Sequence, residues 1–165
     1  MVNKIYSLLL LLGAAFYWTG CSNVDVQADP ADVQKIASAT TIYLSPEIPV
    51  TDGSRAPREG FDKKVLESIQ KELSGKGYTL VSDASDAEIT MSGSYEMGVV
   101  IRNSTSAEMN SGYNTNTPKR RVDYLTLTAD KSGTTLWTAN APVILETIPS
   151  DVAMLMQSFP ESKGH

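Results

Sequence analysis

The period of hydrophobic and polar positions changes several times along this chain, and each change marks an element. Ile5 to Trp18 is an apolar run of about 14 residues interrupted by Ser7, with Lys4 just before it. A membrane-crossing helix needs ~20 apolar residues. The run therefore reads as a secretory signal segment that takes no part in the fold. From Ser22 to about Ser38 the chain is polar, with Asp25, Asp29, Pro30 and Asp32. This reads as a tether, with a short helical turn near Ala31 to Ala37. Thr40-Thr41-Ile42-Tyr43-Leu44 is rich in β-branched and aromatic residues and predicts a first strand. Pro46, Pro49, Gly53 and Pro57 then break regular structure until about Arg58.

The clearest helix follows. Phe61, Val65, Ile69 and Leu73 recur every four residues, Leu66 widens their stripe, and Lys63, Lys64, Glu67 and Lys71 fall opposite. Glu59 and Asp62 suit the positive end of its dipole, and Gly75 or Gly77 supplies a left-handed stop. Tyr78 to Val81 predicts a second strand, and the acidic stretch Ser82 to Glu88 a solvated turn. Ile89, Met91, Gly93, Tyr95, Met97, Val99 and Ile101 alternate with polar residues, so a long half-buried strand is expected there. Gly93 and Gly98 mark bulges or bends. Asn103 to Pro118 is a polar loop without periodicity. Val122 to Asp130 and Thr135 to Val143 form two more strands joined by a turn at Lys131 to Thr134. Ser150 caps a last helix whose apolar face is Val152, Leu155, Met156 and Phe159, and Pro160 ends it.

Composition removes several classes of function. A net charge of −5 offers no attraction to phosphates, and Lys119-Arg120-Arg121 is too short a basic cluster to reverse that, so no nucleic acid partner is expected. That cluster instead guards a strand edge or touches lipid headgroups. A single cysteine excludes an internal disulfide framework and a cysteine-based zinc site. The one histidine, His165, is the last residue and a poor member of any Ser-His-Asp or Cys-His arrangement. No catalytic residue, cofactor or metal site is expected. Glu96 and Asp123 are the carboxylates an acid-base hydrolase would use, but by pattern they are ordinary strand-surface residues.

The lone cysteine closes the apolar run. Small residues Thr19 and Gly20 stand before Cys21, and the segment resembles the bacterial lipobox, in which the cysteine is lipidated and becomes the new N-terminus. Trp18 departs from the aliphatic residue favoured at that place. Two alternatives remain at this point: ordinary cleavage after Val26-Gln27-Ala28, and an uncleaved anchor. Lipobox proteins carry two or three acyl chains. Because one chain holds only marginally, that number gives stable anchoring. Serine at position 22, where enteric-type bacteria read aspartate as an inner-membrane signal, implies the outer membrane.

The order β-α-β-β-β-β-α predicts an α+β domain with a mostly antiparallel sheet of about five strands and two helices on one face. The strand before the first helix is expected to lie parallel to its neighbour through a right-handed crossover. The division is a signal segment at 1–20, a lipidated N-terminus and tether at 21–38, one domain at 39–160 and a frayed tail at 161–165. Cys21, Thr41 to Leu44, Gly75-Lys76-Gly77-Tyr78, Ala84 to Thr90, Tyr124 to Asp130, Ser132-Gly133-Thr134-Thr135-Leu136-Trp137, Ala141 and Ser158-Phe159-Pro160 follow one another in an order that resembles a family of small bacterial envelope lipoproteins. That family is known only as a domain of unknown function. The resemblance implies a membrane partner through the N-terminal lipid and an unidentified envelope protein as a second partner, with no catalytic residues to carry over. The alternative is a periplasmic small-molecule or lipid-binding module with a cavity near Tyr95, Met97 and Trp137.

Overall fold

The computed structural model describes residues 24–51, 60–101 and 120–164. The elements are β1 (Asp25–Gln27), α1 (Pro30–Ala37), β2 (Thr41–Leu44), α2 (Phe61–Gly75), β3 (Thr79–Val81), β4 (Ile89–Ile101), β5 (Arg120–Lys131), β6 (Thr134–Val143) and α3 (Ile148–Met156). A 3-10 turn at Ala84–Asp86 joins β3 to β4. The described strands form one sheet in the order β1-β6-β5-β4-β2-β3.

The α+β class agrees with expectation, and three details differ. The sheet has six strands and is mixed: β4, β5, β6 and β1 pair antiparallel, whereas β2 lies parallel to both β3 and β4. The β2–α2–β3 unit makes the expected parallel pair. The departure lies in Ser82 to Glu88, which does not fold back as a hairpin. It carries the chain past β2 to that strand's other side, so Ile42 pairs with both Leu80 and Ile89. Glu88 fixes the crossing by accepting from Thr40 N at 2.6 Å and Thr40 Oγ1 at 3.0 Å. Its own N–H donates to Thr41 Oγ1 at 3.1 Å.

Those bonds hold the Glu88 carboxyl below its ordinary value of 4.5, the Thr40 backbone bond contributing most, followed by the Thr40 hydroxyl. A depressed folded-state value contributes stability above the ordinary value and loses it as pH falls through the lower one. Glu88→Gln is therefore expected to flatten the acid limb of the stability curve below pH 4.5. Urea midpoints of wild type and variant across that range check this, and parallel curves would count against it.

The second difference is at the N-terminal side. The stretch read as tether forms β1 and α1 from Asp25 onward. β1 is only three residues long, too short for alternation to show. The signals of α1 are present in the sequence: Asp29 before Pro30, Asp32 in the first turn and Lys35 in the last. Its Ile36 and Ala37 are buried, which makes a third helix beside the expected two. The third difference is the tail. Residues 161–164, expected to fray, are tied down where Ser162 N donates to Lys76 O at 2.9 Å and Lys163 N to Ala37 O at 2.7 Å.

One contiguous core receives Ile36 of α1, Phe61, Val65, Ile69 and Leu73 of α2, and Ile148, Val152, Leu155 and Met156 of α3. Facing them are the inward rows Ile89, Met91 and Tyr95, then Leu125, Leu127 and Ala129, then Trp137, Ala139, Ala141 and Val143. The other face is polar and half-buried, cross-linked by Ser92 Oγ to Thr128 Oγ1 at 2.8 Å and Asn140 Nδ2 to Thr126 Oγ1 at 2.7 Å. Gly77, with φ +86°, makes the left-handed stop after α2, while Gly75 remains helical.

Two bulges break the alternation. In β4 the register shifts between Glu96 and Val99, which places Gly98 in the irregularity and ends the single face expected to run from Ile89 to Ile101. In β6 the shift leaves Leu136 as an extra residue between Thr135 and Trp137, so Leu136 and Trp137 are buried side by side.

Candidate functional site

Cys21 and the whole of segment 1–23 lie outside the described residues, as do the polar run 102–118, Lys119 and the end of the Pro46–Arg58 stretch. The described chain begins at Val24, three residues after Cys21, and enters the sheet at once as β1. Arg120 and Arg121 form the outermost described rungs of β5, paired with Ile101 and Val100 of β4.

The two carboxylates considered for acid-base work are not brought together. Glu96 pairs with Tyr124 and is exposed on the polar face. Asp123, two residues from buried Leu125, belongs to the inward row. The sheet therefore separates them.

A different polar group meets at this end of the core. The Tyr95 ring packs at 4.9 Å from that of Phe61, the first residue of α2, and Tyr95 is 2% exposed. Its hydroxyl and Asp62 Oδ1 are buried without a hydrogen-bond partner among the described residues. Burial pushes the Asp62 carboxyl above its ordinary value. Burial first, then the charges of Asp62 and Asp123, pushes the Tyr95 phenol up to about 12. A phenol so placed stays protonated at neutral pH, which removes it as a base or nucleophile. This group was not legible in the sequence, because it needs α2 docked over β4. A buried hydroxyl without a partner carries its full desolvation cost. Tyr95→Phe is thus expected to keep or raise the urea midpoint, and a loss above about 1 kcal/mol would reveal a hydrogen bond worth that much.

The second polar neighbourhood is a groove of about 330 Å3 beside β1, lined by Gln27, Ala28, Asp29, Asp32 and Thr135 to Thr138. The β6 bulge shapes one wall. Trp137 lines it, yet is fully buried, and its Nε1 lacks a hydrogen-bond partner. Asp32 is held by Lys35 at 2.7 Å. The Trp137 ring meets Phe159 edge-on at 5.1 Å, so it sits in the core and not in a cavity between helix and sheet. Tyr95 is likewise packed, and the Met97 side chain lies outside the described set. Among the described residues no three His, Cys, Asp or Glu side chains are grouped to hold a metal ion, and no helix is long and apolar enough to cross a membrane.

This mixed-sheet α+β architecture is similar to several solved structures. A PelC dodecamer from Paraburkholderia phytofirmans is 14% identical with a TM-score of 0.52, over 84% of this chain and 98% of PelC. A PDZ domain protein from Parabacteroides distasonis ATCC 8503 is 11% identical with a TM-score of 0.50, over 86% of this chain and 36% of that protein. A DUF4136 family protein from Bacteroides thetaiotaomicron VPI-5482 is 15% identical with a TM-score of 0.49, over 82% of this chain and 92% of its own. At these identities the likeness is one of fold. No protein-family model matches the chain, and no curated protein does.

Proposed function

We propose that this chain is a lipid-anchored bacterial envelope domain, held in the outer membrane through Cys21, that contacts another envelope component and performs no catalysis. The observation that carries the reading is Thr19-Gly20-Cys21 at the end of an apolar run too short to span, followed within four residues by the first strand of a folded domain. The position of that strand weighs against the rival cleavage after Ala28. Such a cut would remove β1, which pairs with β6 from Asp25 to Gln27, and would bare the β6 edge to other chains. Glu96 and Asp123 on opposite faces, and a protonated Tyr95, weigh against acid-base catalysis. PelC, of similar fold, is a dodecamer, so contact between copies of the chain is one form the interaction takes.

Cross-linking in intact envelopes, with mass spectrometry of the products, tests this. The expected result is one envelope protein, or a second copy, captured repeatedly by wild type and lost with Cys21→Ala. Equal capture by both would overturn it. A second reading, a small-molecule-binding module, is favoured by the unpaired Trp137 Nε1 beside the groove. Cleavage before Cys21 leaves Trp137 as the mature chain's single tryptophan, so its fluorescence reports occupancy directly.

A further inference from the structure

α1 is the most weakly seated helix of the fold. It buries two of its own side chains, Ile36 and Ala37, whereas α2 and α3 bury four each. At eight residues it is too short to persist on its own in water. Its place therefore depends on what ties it to the rest of the domain. Among the described residues, four hydrogen bonds join segment 30–39 to other parts of the chain. The Tyr78 hydroxyl donates to Ile36 O at 3.3 Å. The other three come from the stretch after α3. Lys163 N donates to Ala37 O at 2.7 Å, Lys163 Nζ to Gln34 Oε1 at 3.2 Å, and Ser162 Oγ to Ala39 O at 2.8 Å. Ala37 O is the last carbonyl of the helix, and Lys163 N is its one donor among the described residues.

Ser162 N at the same time donates to Lys76 O, at the end of α2, at 2.9 Å. Two consecutive backbone N–H groups thus fasten the C-terminal ends of α1 and α2 together, satisfying carbonyls that a helix end leaves open. The groove beside β1 lies along the seam this fastening closes. One wall is Gln27, Ala28, Asp29 and Asp32, from β1 to the first turn of α1, and the other is Thr135 to Thr138 of β6. α1 lies against β6, where Trp137 is fully buried with its Nε1 unpartnered. Water reaching that N–H offsets part of the cost of opening the seam. We infer that Ser162 to Gly164 form a latch on α1. While they are seated, α1 walls the groove and covers Trp137. When they lift, α1 unwinds between β1 and β2, and the groove enlarges toward Trp137. The six-stranded sheet, α2 and α3 stay folded, because local opening selects the element with the fewest buried apolar groups. This device is independent of how the N-terminus is held and of what the domain contacts.

The test uses the full chain in detergent with Trp18→Phe, which leaves Trp137 as its sole tryptophan. One variant stops after Pro160, which removes Ser162 and Lys163 and no buried side chain. A second, Gly164→Ala, keeps the length. A Cβ there would overlap Thr40 Cγ2, and the Thr40 hydroxyl is held by Glu88 at 3.0 Å, so the latch must shift. Thr40→Ser removes that methyl and keeps the hydroxyl, so adding it to Gly164→Ala should reseat the latch. Amide hydrogen exchange, read by mass spectrometry, and acrylamide quenching of Trp137 follow the opening. In the truncated chain the amides of Lys35 to Ala39 should exchange about tenfold faster, with α2 and β5 changed less than about twofold. Trp137 quenching should rise with them. Gly164→Ala should act in the same direction, and the double variant should return to slow exchange. Unchanged exchange in α1 of the truncated chain would overturn the latch. Exchange raised equally in α1, α2 and β5 would mean a loss of overall stability and would overturn it as well. Faster exchange in α1 with Trp137 no more open to acrylamide would overturn the role of α1 as its cover.

Discussion

Trp137→Ala is expected to lower the unfolding free energy by about 3–5 kcal/mol, the range for truncating a large buried aromatic. Trp137 has no exposed surface and stands where three parts of the fold meet. Its ring is edge-on to Phe159 at 5.1 Å, and Phe159 in turn packs 5.6 Å from Tyr78. The Tyr78 hydroxyl donates toward Ile36 O at 3.3 Å and Pro160 O at 3.1 Å. Removing the indole thus undermines the contact between β6, the segment after α3 and the end of α1. One effect opposes the loss: the unpaired Nε1, whose burial costs about 1–3 kcal/mol, disappears with the ring. The net change should therefore lie toward the low end. Single domains have about 5–15 kcal/mol in hand, so the variant should fold with a clearly reduced urea midpoint. Trp137→Phe keeps an aromatic ring and discards the unpaired N–H, so it should lose less than half as much. Far-UV circular dichroism in urea measures both. A loss below about 1 kcal/mol for the alanine variant would mean that the ring is not packed as described.

The elements that were legible are those whose burial repeats within a few residues. α2 shows four apolar positions at one spacing over 15 residues, and each of them is buried. β5 and β6 alternate and are joined by Ser132-Gly133, both at positive φ, which is the conformation a two-residue hairpin needs. The sequence hides what depends on distant partners. β1 has no pattern of its own and exists because the β6 edge offers it hydrogen bonds. Seven residues between β3 and β4 look like a hairpin turn, and only the bonds from Thr40 and Thr41 to Glu88 make them a crossing. The β6 bulge left a trace, two adjacent large apolar residues at Leu136 and Trp137, which strict alternation does not produce. The same division applies to the sites. The attachment proposed at Cys21 rests on a local reading, because a processing enzyme that recognised it would act on a short segment of chain before folding matters. The Tyr95–Asp62 group cannot be read locally, because 33 residues of sequence separate two side chains that the docking of α2 on β4 brings together.

Cys21→Ala is expected to move the protein from the membrane to the soluble fraction almost completely. Each buried methylene contributes ~0.8 kcal/mol, and two acyl chains make release negligible on the timescale of fractionation. Without them, the mature domain offers a bilayer only a short basic stretch on an acidic chain, whose full-length net charge of −5 becomes more negative once Lys4 is cut away. That attraction is screened beyond about 8 Å and does not survive washing in salt. The same substitution discriminates between the rival processing routes. If the lipobox operates, palmitate labels wild type and not the variant, and the wild-type N-terminus is acylated Cys21. If ordinary cleavage after Ala28 operates, both proteins begin at Asp29 and are equally soluble, and β1 is absent from the mature sheet. Loss of β1 would bare the β6 edge from Thr138 to Asn140, so that outcome should also bring a lower urea midpoint and a tendency to associate. Ser22→Asp separates anchoring from address. In an enteric-type host it should leave acylation intact and shift the protein from outer to inner membrane on a density gradient. A variant that stays in the outer membrane would mean that residue 22 does not set its destination.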